Sequence, residues 1–208
     1  MRALLLIDIQ NDFLPGGALA VQHGDEVVPV ANRLSASSRF DLVVVTQDWH
    51  PADHQSFATQ HPGRSPGEVI DLHGLAQVLW PVHCVQGTLG ASFAPGLDLG
   101  RVAHIAQTGM DPAVDSYSGF FDNGRRHATG LEAFLRARGV SKVTVMGLAT
   151  DYCVKWTALD AASLGFSTEV VVDGCRGVGL TPADIPAALD ELRAAGVALA
   201  TSQDLVAT

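Results

Sequence analysis

The stretch Ala3-Leu4-Leu5-Leu6-Ile7-Asp8-Ile9 is an apolar run interrupted by a single carboxylate. Such a run is typical of a strand that is buried on both faces of a sheet. Similar runs recur at residues 42–46, 143–147, 168–173 and 197–201, with a weaker one at residues 102–108. Helical patterns occur between them at residues 25–38, 129–138, 150–164 and 181–196. This alternation predicts an α/β fold, with a mostly parallel open sheet of about six strands and helices on both faces. We expect a single domain over residues 1–208.

The composition excludes several classes of protein. Of the 208 residues, 47% are hydrophobic and 17% are charged, which excludes a disordered chain. The cysteines number three, too few for a disulfide-stapled scaffold, and a formal charge of -9 argues against a nucleic-acid-binding surface. The longest apolar run, residues 3–7, is far shorter than the ~20 residues that span a bilayer. The sequence predicts a cytoplasmic protein with no nucleic-acid or membrane partner.

Histidines cluster after the second predicted strand, in Gln47-Asp48-Trp49-His50-Pro51-Ala52-Asp53-His54, and His83 follows within Trp80-Pro81-Val82-His83-Cys84. The segment 47–100 has little periodicity, and a loop that long within a compact domain is usually functional. One carboxylate and three imidazoles suit a divalent ion such as Zn, Fe or Mn. From spacing alone, a group of ordinary surface histidines stays an open alternative.

Cys153 stands at a later strand-to-helix junction, in Gly147-Leu148-Ala149-Thr150-Asp151-Tyr152-Cys153. A helix N-terminus lowers the pKa of a thiol and offers free N–H groups to an oxyanion, so the position suits a nucleophile. A buried cysteine that only fills space is the alternative. Asp8, which ends the first predicted strand, suits either a general base or a loop cap. Cys84 and Cys175 have no such setting, and we expect them to be ordinary core residues.

Five segments together resemble the nicotinamidase branch of the isochorismatase-like cysteine hydrolases. They are residues 5–13 (LLIDIQNDF), 47–51 (QDWHP), 80–85 (WPVHCV), 114–123 (VDSYSGFFDN) and 146–154 (MGLATDYCV). Each segment is weakly specific alone, whereas five in sequence order are highly specific. The resemblance implies a Rossmann-type three-layer fold and the hydrolysis of nicotinamide to nicotinate and ammonia. It also implies pyrazinamide as a second substrate, a place in NAD salvage, and a monomer or homodimer.

The resemblance further implies roles for individual residues. Cys153 is the expected nucleophile and Asp8 its base; the backbone N–H groups of Ala149 and Cys153 are the expected oxyanion hole, with a cis peptide before Ala149. The expected ligands of one divalent metal ion, which meets the ring nitrogen of the substrate, are Asp48, His50, His54 and His83. The residues expected around the substrate ring are Phe13, Trp80, Tyr117 and Tyr152.

One position departs from the family pattern. The family's third catalytic residue is a lysine before the Asp-Ser-Tyr-Ser segment, and this chain has Thr108 there. Its hydroxyl can give Asp8 one hydrogen bond but no charge, so we expect turnover to be lower by ~10²-fold or more. The origin of Thr108 stays open among three: an introduced substitution, a natural change with compensation elsewhere, or the mark of a protein that has lost catalysis. Two other functions therefore stay open: a different isochorismatase-like hydrolase, and a catalytically silent protein that binds a metal and nicotinamide.

Overall fold

The computed structural model describes residues 1–206, without the side chain of Val206. Its main sheet has six strands in the order β5-β2-β1-β6-β7-β8, and every neighbouring pair is parallel. The strands of the chain are β1 Arg2–Ile7, β2 Leu42–Asp48, β3 Val69–Leu72, β4 Leu75–Val78, β5 Val102–Thr108, β6 Lys142–Leu148, β7 Ser167–Arg176 and β8 Ala198–Ala200. The predicted parallel sheet of about six strands is confirmed.

Five α-helices cover the sheet: α1 Val27–Ala36, α2 Leu131–Ala137, α3 Lys155–Ser163, α4 Asp184–Ala194 and α5 Ser202–Val206. Helix α1 packs with α5, and α3 packs with α4. The crossovers from β1 to β2 and from β6 to β7 run in opposite directions along the sheet. Because such crossovers are right-handed, α1 and α3 lie on opposite faces.

Strand β1 lies in the middle of the sheet because it is apolar on both faces. Its residues from Ala3 to Ile7 are all buried. The chain moves from β1 outward to β2 and then β5 on one side, and returns to β6 on the other side. The strand order therefore reverses between β1 and β6, and the carboxyl ends of strands at such a point are where open α/β sheets bind ligands.

The long segment between β2 and β5 carries structure that its weak periodicity did not predict. It contains an antiparallel hairpin of β3 and β4. Isolated bridges also join His50 to Val85 and Phe57 to Trp80. These bridges fold the later part of the segment back onto the end of β2, which brings its side chains to the edge of the sheet where the functional site is expected.

The sequence Thr129-Gly130-Leu131-Glu132 before α2 predicts a capping box, in which Thr129 and Glu132 each satisfy a free N–H, but this box does not form. The backbone N–H of Thr129 donates to Phe120 O, so it does not donate to the Glu132 carboxylate as a capping box requires. Glu132 instead pairs with Arg136, one turn along the helix. The Thr129 hydroxyl accepts a hydrogen bond from the N–H of Leu131 and donates to a loop carbonyl. A tertiary contact of the preceding loop thus replaces the local cap.

None of the helices within residues 1–206 combines the length and the apolar character that a membrane crossing requires.

Candidate active site

Three reactive side chains meet at the carboxyl edge of the sheet. Asp8 follows β1, Asp48 ends β2, and Cys153 lies in the π-helical turn Thr150–Val154 that follows β6. A threonine at the start of the helical pattern predicts a side-chain cap by Thr150, but this turn starts without a side-chain cap. A cavity over these strand ends is lined by Cys153 and Ala149 and also by Asp48. The structure therefore gathers residues that the sequence separates by more than a hundred positions.

Asp48, His50 and His83 form a compact group of possible metal ligands. Oδ2 of Asp48 lies 2.9 Å from Nε2 of His50 and 3.2 Å from Nε2 of His83. All three residues are buried, and their ligand atoms lie within 4.8 Å of one another. One carboxylate oxygen and two imidazole nitrogens that converge in this way suit a divalent ion such as zinc, iron or manganese.

Backbone carbonyls orient both imidazoles of this group. Nδ1 of His50 lies 3.0 Å from Gly109 O, and Nδ1 of His83 lies 2.8 Å from Pro81 O. A carbonyl only accepts hydrogen bonds, so each Nδ1 carries a proton and donates it. The Nε2 atoms of both rings lie beside Oδ2 of Asp48, and binding of a metal ion would displace their protons and engage their lone pairs. This is the usual arrangement of metal-binding histidines, so the residues present fit a metal ion.

The charges of this group reinforce one another. Burial alone would raise the pKa of Asp48, but the charge of His50 and the hydrogen bonds from His50 and His83 hold it well below the ordinary range of an aspartate. Burial also disfavours the charged form of His50, yet the Asp48 carboxylate outweighs this effect and raises the pKa of His50 to about 9. Asp48 is therefore ionised across the physiological pH range.

His54 lies beside this group. Its ring centroid is 4.2 Å from that of His50. Its possible ligand atom and those of His50 and Asp115 lie within 4.8 Å of one another. Nδ1 of His54 is 2.7 Å from the hydroxyl of Ser56. Nε2 is buried and has no hydrogen-bond partner within the described chain, so it is the atom available to an ion or to a water. Sequence reasoning did not assign Asp115 to the site, although it begins the Asp-Ser-Tyr-Ser segment.

Gln10 is a second residue that sequence reasoning missed. Its Oε1 accepts the backbone N–H of Asp48 and its Nε2 donates to the carbonyl of Asp48, each at 2.8 Å. Gln10 is fully buried, and it fixes the main chain from which the Asp48 carboxylate projects. The signal in the sequence was a glutamine directly after a buried strand, where an uncharged polar side chain needs partners.

Asp8 and Cys153 lie close enough for each side chain to affect the pKa of the other. Oδ1 of Asp8 accepts a 2.5 Å hydrogen bond from Oγ1 of Thr46. Burial, followed by the charge of Asp48, raises the pKa of Asp8 to about 7, although the hydrogen bond from Thr46 and the neighbouring Cys153 thiol lower it. Burial and the charges of Asp8 and Asp48 also raise the pKa of the Cys153 thiol well above its usual value. The lowered thiol pKa expected from the helix N-terminus is therefore wrong, because burial of the thiol and then the nearby carboxylates outweigh the dipole.

Thr108 does not bond to Asp8, contrary to the expectation from sequence. Its hydroxyl lies 3.4 Å from the carbonyl of Gln47, to which it donates, and Thr46 on the neighbouring strand takes the place beside Asp8. Neither lysine of the chain replaces the missing charge. Lys142 pairs with Glu169 and Lys155 pairs with Glu191.

Aromatic side chains form a large part of the remaining cavity wall. The four residues expected around a substrate ring, Phe13, Trp80, Tyr117 and Tyr152, all line the cavity. Three of them pack edge to face, with Trp80 and Tyr152 at 4.9 Å and Tyr117 and Tyr152 at 5.4 Å between ring centroids. Leu19 and Val178, which sequence reasoning did not assign, add apolar walls. The space suits a flat, largely apolar ring.

Ala149 precedes the turn that carries Cys153. The peptide bond between Leu148 and Ala149 is cis, as the resemblance implies. Cys84 and Cys175 are both buried, and burial raises the pKa of each thiol, which agrees with their expected place in the core.

The comparisons with known proteins agree with this geometry. The isochorismatase domain family matches residues 2–204. The nicotinamidase of Escherichia coli is 53% identical over 98% of this chain and 96% of its own. The Acinetobacter baumanii nicotinamidase/pyrazinamidase structure is 44% identical, with a TM-score of 0.94 over 98% of this chain and 97% of that one. A Pyrococcus horikoshii pyrazinamidase, solved in complex with zinc, is 36% identical, with a TM-score of 0.78 over 96% of this chain and 98% of that one. The chain therefore belongs to the isochorismatase-like hydrolase family, within its nicotinamidase branch.

Proposed function

We propose that this protein hydrolyses the carboxamide of nicotinamide, releasing nicotinate and ammonia. The observation that carries the proposal is the Cys153–Asp8 pair beside an aromatic cavity that also exposes the Asp48, His50 and His83 group. A flat ring between aromatic walls would present its amide to the thiol. The similarity to nicotinamidases over nearly the whole chain supports the same reaction.

The proposed reaction has two steps. Asp8 takes the proton of the Cys153 thiol, and the thiolate sulfur bonds to the amide carbon, whose carbonyl electrons move to oxygen. Backbone N–H groups of Ala149 and Cys153 hold that oxyanion. When the carbonyl re-forms, the C–N bond breaks, Asp8 returns the proton to nitrogen, and ammonia leaves a thioester. Asp8 then takes a proton from water as the water oxygen bonds to the thioester carbon. When the C–S bond breaks, Asp8 gives this proton to the sulfur, and the product leaves as nicotinic acid, which ionises to nicotinate.

Asp48, His50 and His83 are the proposed ligands of one divalent metal ion, with His54 as the fourth. Zinc, iron and manganese all suit this donor set. A divalent ion bound there supplies a Lewis acid beside the ring. The protein residues orient the ring: Phe13 and Trp80 restrict it from the cavity wall, and Tyr117 and Tyr152 complete the enclosure. Pyrazinamide, which has the same amide on a ring of the same size, is the proposed second substrate.

Thr108 is expected to impair this reaction. A cation beside Asp8 would favour the ionised base, and a threonine bonded to Gln47 O supplies none. This observation favours a second candidate function, a protein that binds a metal and nicotinamide without turnover. The proposal otherwise includes a cytoplasmic location, no nucleic-acid or membrane partner, a single domain, and a monomer or homodimer.

The decisive experiment measures ammonia release from nicotinamide by metal-loaded protein, with Thr108→Lys and Cys153→Ala run in parallel. We expect slow release by the parent, faster release by Thr108→Lys and none by Cys153→Ala. Equal release by all three would contradict the proposal. Nicotinamide binding without release by either the parent or Thr108→Lys would favour the silent binding protein.

A further inference from the structure

Thr46 is a buried threonine of β2 that contacts Asp8 twice. Its Oγ1 accepts the backbone N–H of Asp8 at 3.0 Å and donates to Oδ1 of Asp8 at 2.5 Å. A hydroxyl has one proton to donate, and here that proton goes to the carboxylate. Thr46 therefore holds both the main chain and the side chain of the proposed base.

The methyl group of Thr46 fixes the direction of its hydroxyl. Cγ2 packs against the main chain at Gly119, where a Cβ atom would lie only 2.9 Å away. The N–H of Gly119 is itself held by Oγ1 of Thr157 at 2.9 Å. Because threonine is branched at Cβ and stiff about χ1, a seated methyl group leaves the hydroxyl facing Asp8.

Asp8 depends on such support. Its φ angle is +46°, in the left-handed region of backbone conformation, which residues other than glycine adopt only at a cost in free energy. Its carboxylate accepts a hydrogen bond from Thr46 on β2. Cys153 from the turn after β6 and the charges of Asp48 and His50 also affect its pKa. Thr108 from β5 bonds elsewhere. Thr46 is thus the hydroxyl that this chain provides to the base.

We propose that Thr46 is a positioning residue for the reaction: its hydroxyl holds the Asp8 carboxylate facing the Cys153 thiol and favours the ionised base. The inference rests on the proposed function, because it assigns Thr46 a role through Asp8. Within the described residues, the cavity wall includes Asp48 and Cys153 but not Thr46. Thr46 should therefore affect kcat and leave KM nearly unchanged.

Two pairs of proteins isolate the hydroxyl. The first pair is the parent and Thr46→Val, whose side chains have the same shape and differ only in the hydroxyl. The second pair is Thr46→Ser and Thr46→Ala, which both lack the methyl group and also differ only in the hydroxyl. If one member of a pair misfolds, the other pair still measures the effect of the hydroxyl. Thr144→Val is the matched control, since Oγ1 of Thr144 also donates to a buried carboxylate, Glu169, at 2.6 Å on β6.

The first measurement is the rate at which iodoacetamide alkylates Cys153 as a function of pH, followed by mass spectrometry. Cys84 and Cys175 are buried and serve as internal controls. The second is the pH profile of kcat/KM for nicotinamide. We expect Thr46→Val to lower kcat/KM by about tenfold at pH values below its midpoint and to move that midpoint up by about one pH unit. The alkylation profile of Cys153 should move in the opposite direction, to lower pH, because a less ionised Asp8 disfavours the thiolate less. Thr46→Ser should stay within about threefold of the parent, because it keeps the donor but loses the methyl contact.

Unchanged midpoints in Thr46→Val and Thr46→Ala would overturn the inference, as would the same shift in Thr144→Val. The two readouts separate this inference from the proposed function. Alkylation that depends on Thr46 without any ammonia release would retain the positioning role and reject the amidase. Ammonia release that does not depend on the Thr46 hydroxyl would retain the amidase and reject the positioning role.

Discussion

Asp8 and Asp48 end neighbouring strands, and their residues are almost equally buried, 2% and 5% exposed. Their chemistry is nevertheless opposite. Asp48 lies within 3.2 Å of two imidazoles, and its pKa is held well below the ordinary range. Asp8 accepts a hydrogen bond from the Thr46 hydroxyl, and burial together with the charge of Asp48 raises its pKa to about 7.

The difference shows that neighbours, not burial, decide what a buried carboxylate can do. Burial disfavours the ionised form of both residues. Two histidines reverse this effect at Asp48, which is then a permanent anion that suits a metal. Thr46 and Cys153 reverse it only in part at Asp8, which is left able to exchange a proton near neutral pH.

Removing the base should have the largest effect. We expect Asp8→Asn to lower kcat/KM for nicotinamide by ~10³-fold or more, because the thiol loses its proton acceptor. Ammonia release in the parent and in the Thr108→Lys background measures this loss. Metal content should be unchanged in Asp8→Asn but reduced in Asp48→Asn. Equal metal loss in both variants would show that the two carboxylates do not have separate roles.

Supplying a cation beside Asp8 should have the next largest effect. We expect Thr108→Lys to raise kcat by ~10²-fold, because the ammonium would stabilise both the ionised base and the thiolate. Thr108→Met, of similar length but neutral, is the control. Steady-state rates of ammonia release test the prediction. A gain in Thr108→Met, or none in Thr108→Lys, would mean that charge at this position is not what limits turnover.

The two histidine environments should differ in metal affinity. We expect His83→Ala to weaken zinc binding by ~10²-fold or more and His54→Ala by about tenfold, since His83 lies within 3.2 Å of Asp48 and His54 lies beside the group. Competition with a chromogenic chelator measures both affinities without any need for activity. The reverse order would place His54 at the centre of the site.

The pH dependence should show the smallest change. A carboxylate with a raised pKa stays protonated below that pKa, so kcat/KM should fall as pH decreases through about 7. The fall should approach about tenfold per pH unit. Initial rates at constant ionic strength measure the midpoint, which Thr108→Lys should move to lower pH. A midpoint near the usual value of an aspartate in the parent would remove the contrast between Asp8 and Asp48.

Much of the fold could be predicted from local patterns. The continuous apolar runs predicted the central strands β1, β2 and β6, because a strand covered on both faces has no polar side. The cap of α2 could not be predicted in the same way. Thr129 has the right neighbours for a capping box, but a loop carbonyl at Phe120 takes its N–H. Such competition between local and tertiary partners is invisible in the order of residues.

The sequence by itself determined the reactive residues and the edge of the sheet to which they belong. Asp8, Asp48 and Cys153 each follow an apolar strand, and parallel strands bring their carboxyl ends to one edge. Only the tertiary structure decided their protonation and their partners. It gave Thr46 rather than Thr108 to Asp8, and it raised the thiol pKa that a helix N-terminus alone would lower. The reason is physical: hydrogen bonds and Coulomb energies depend on distances across strands, which residue order does not specify.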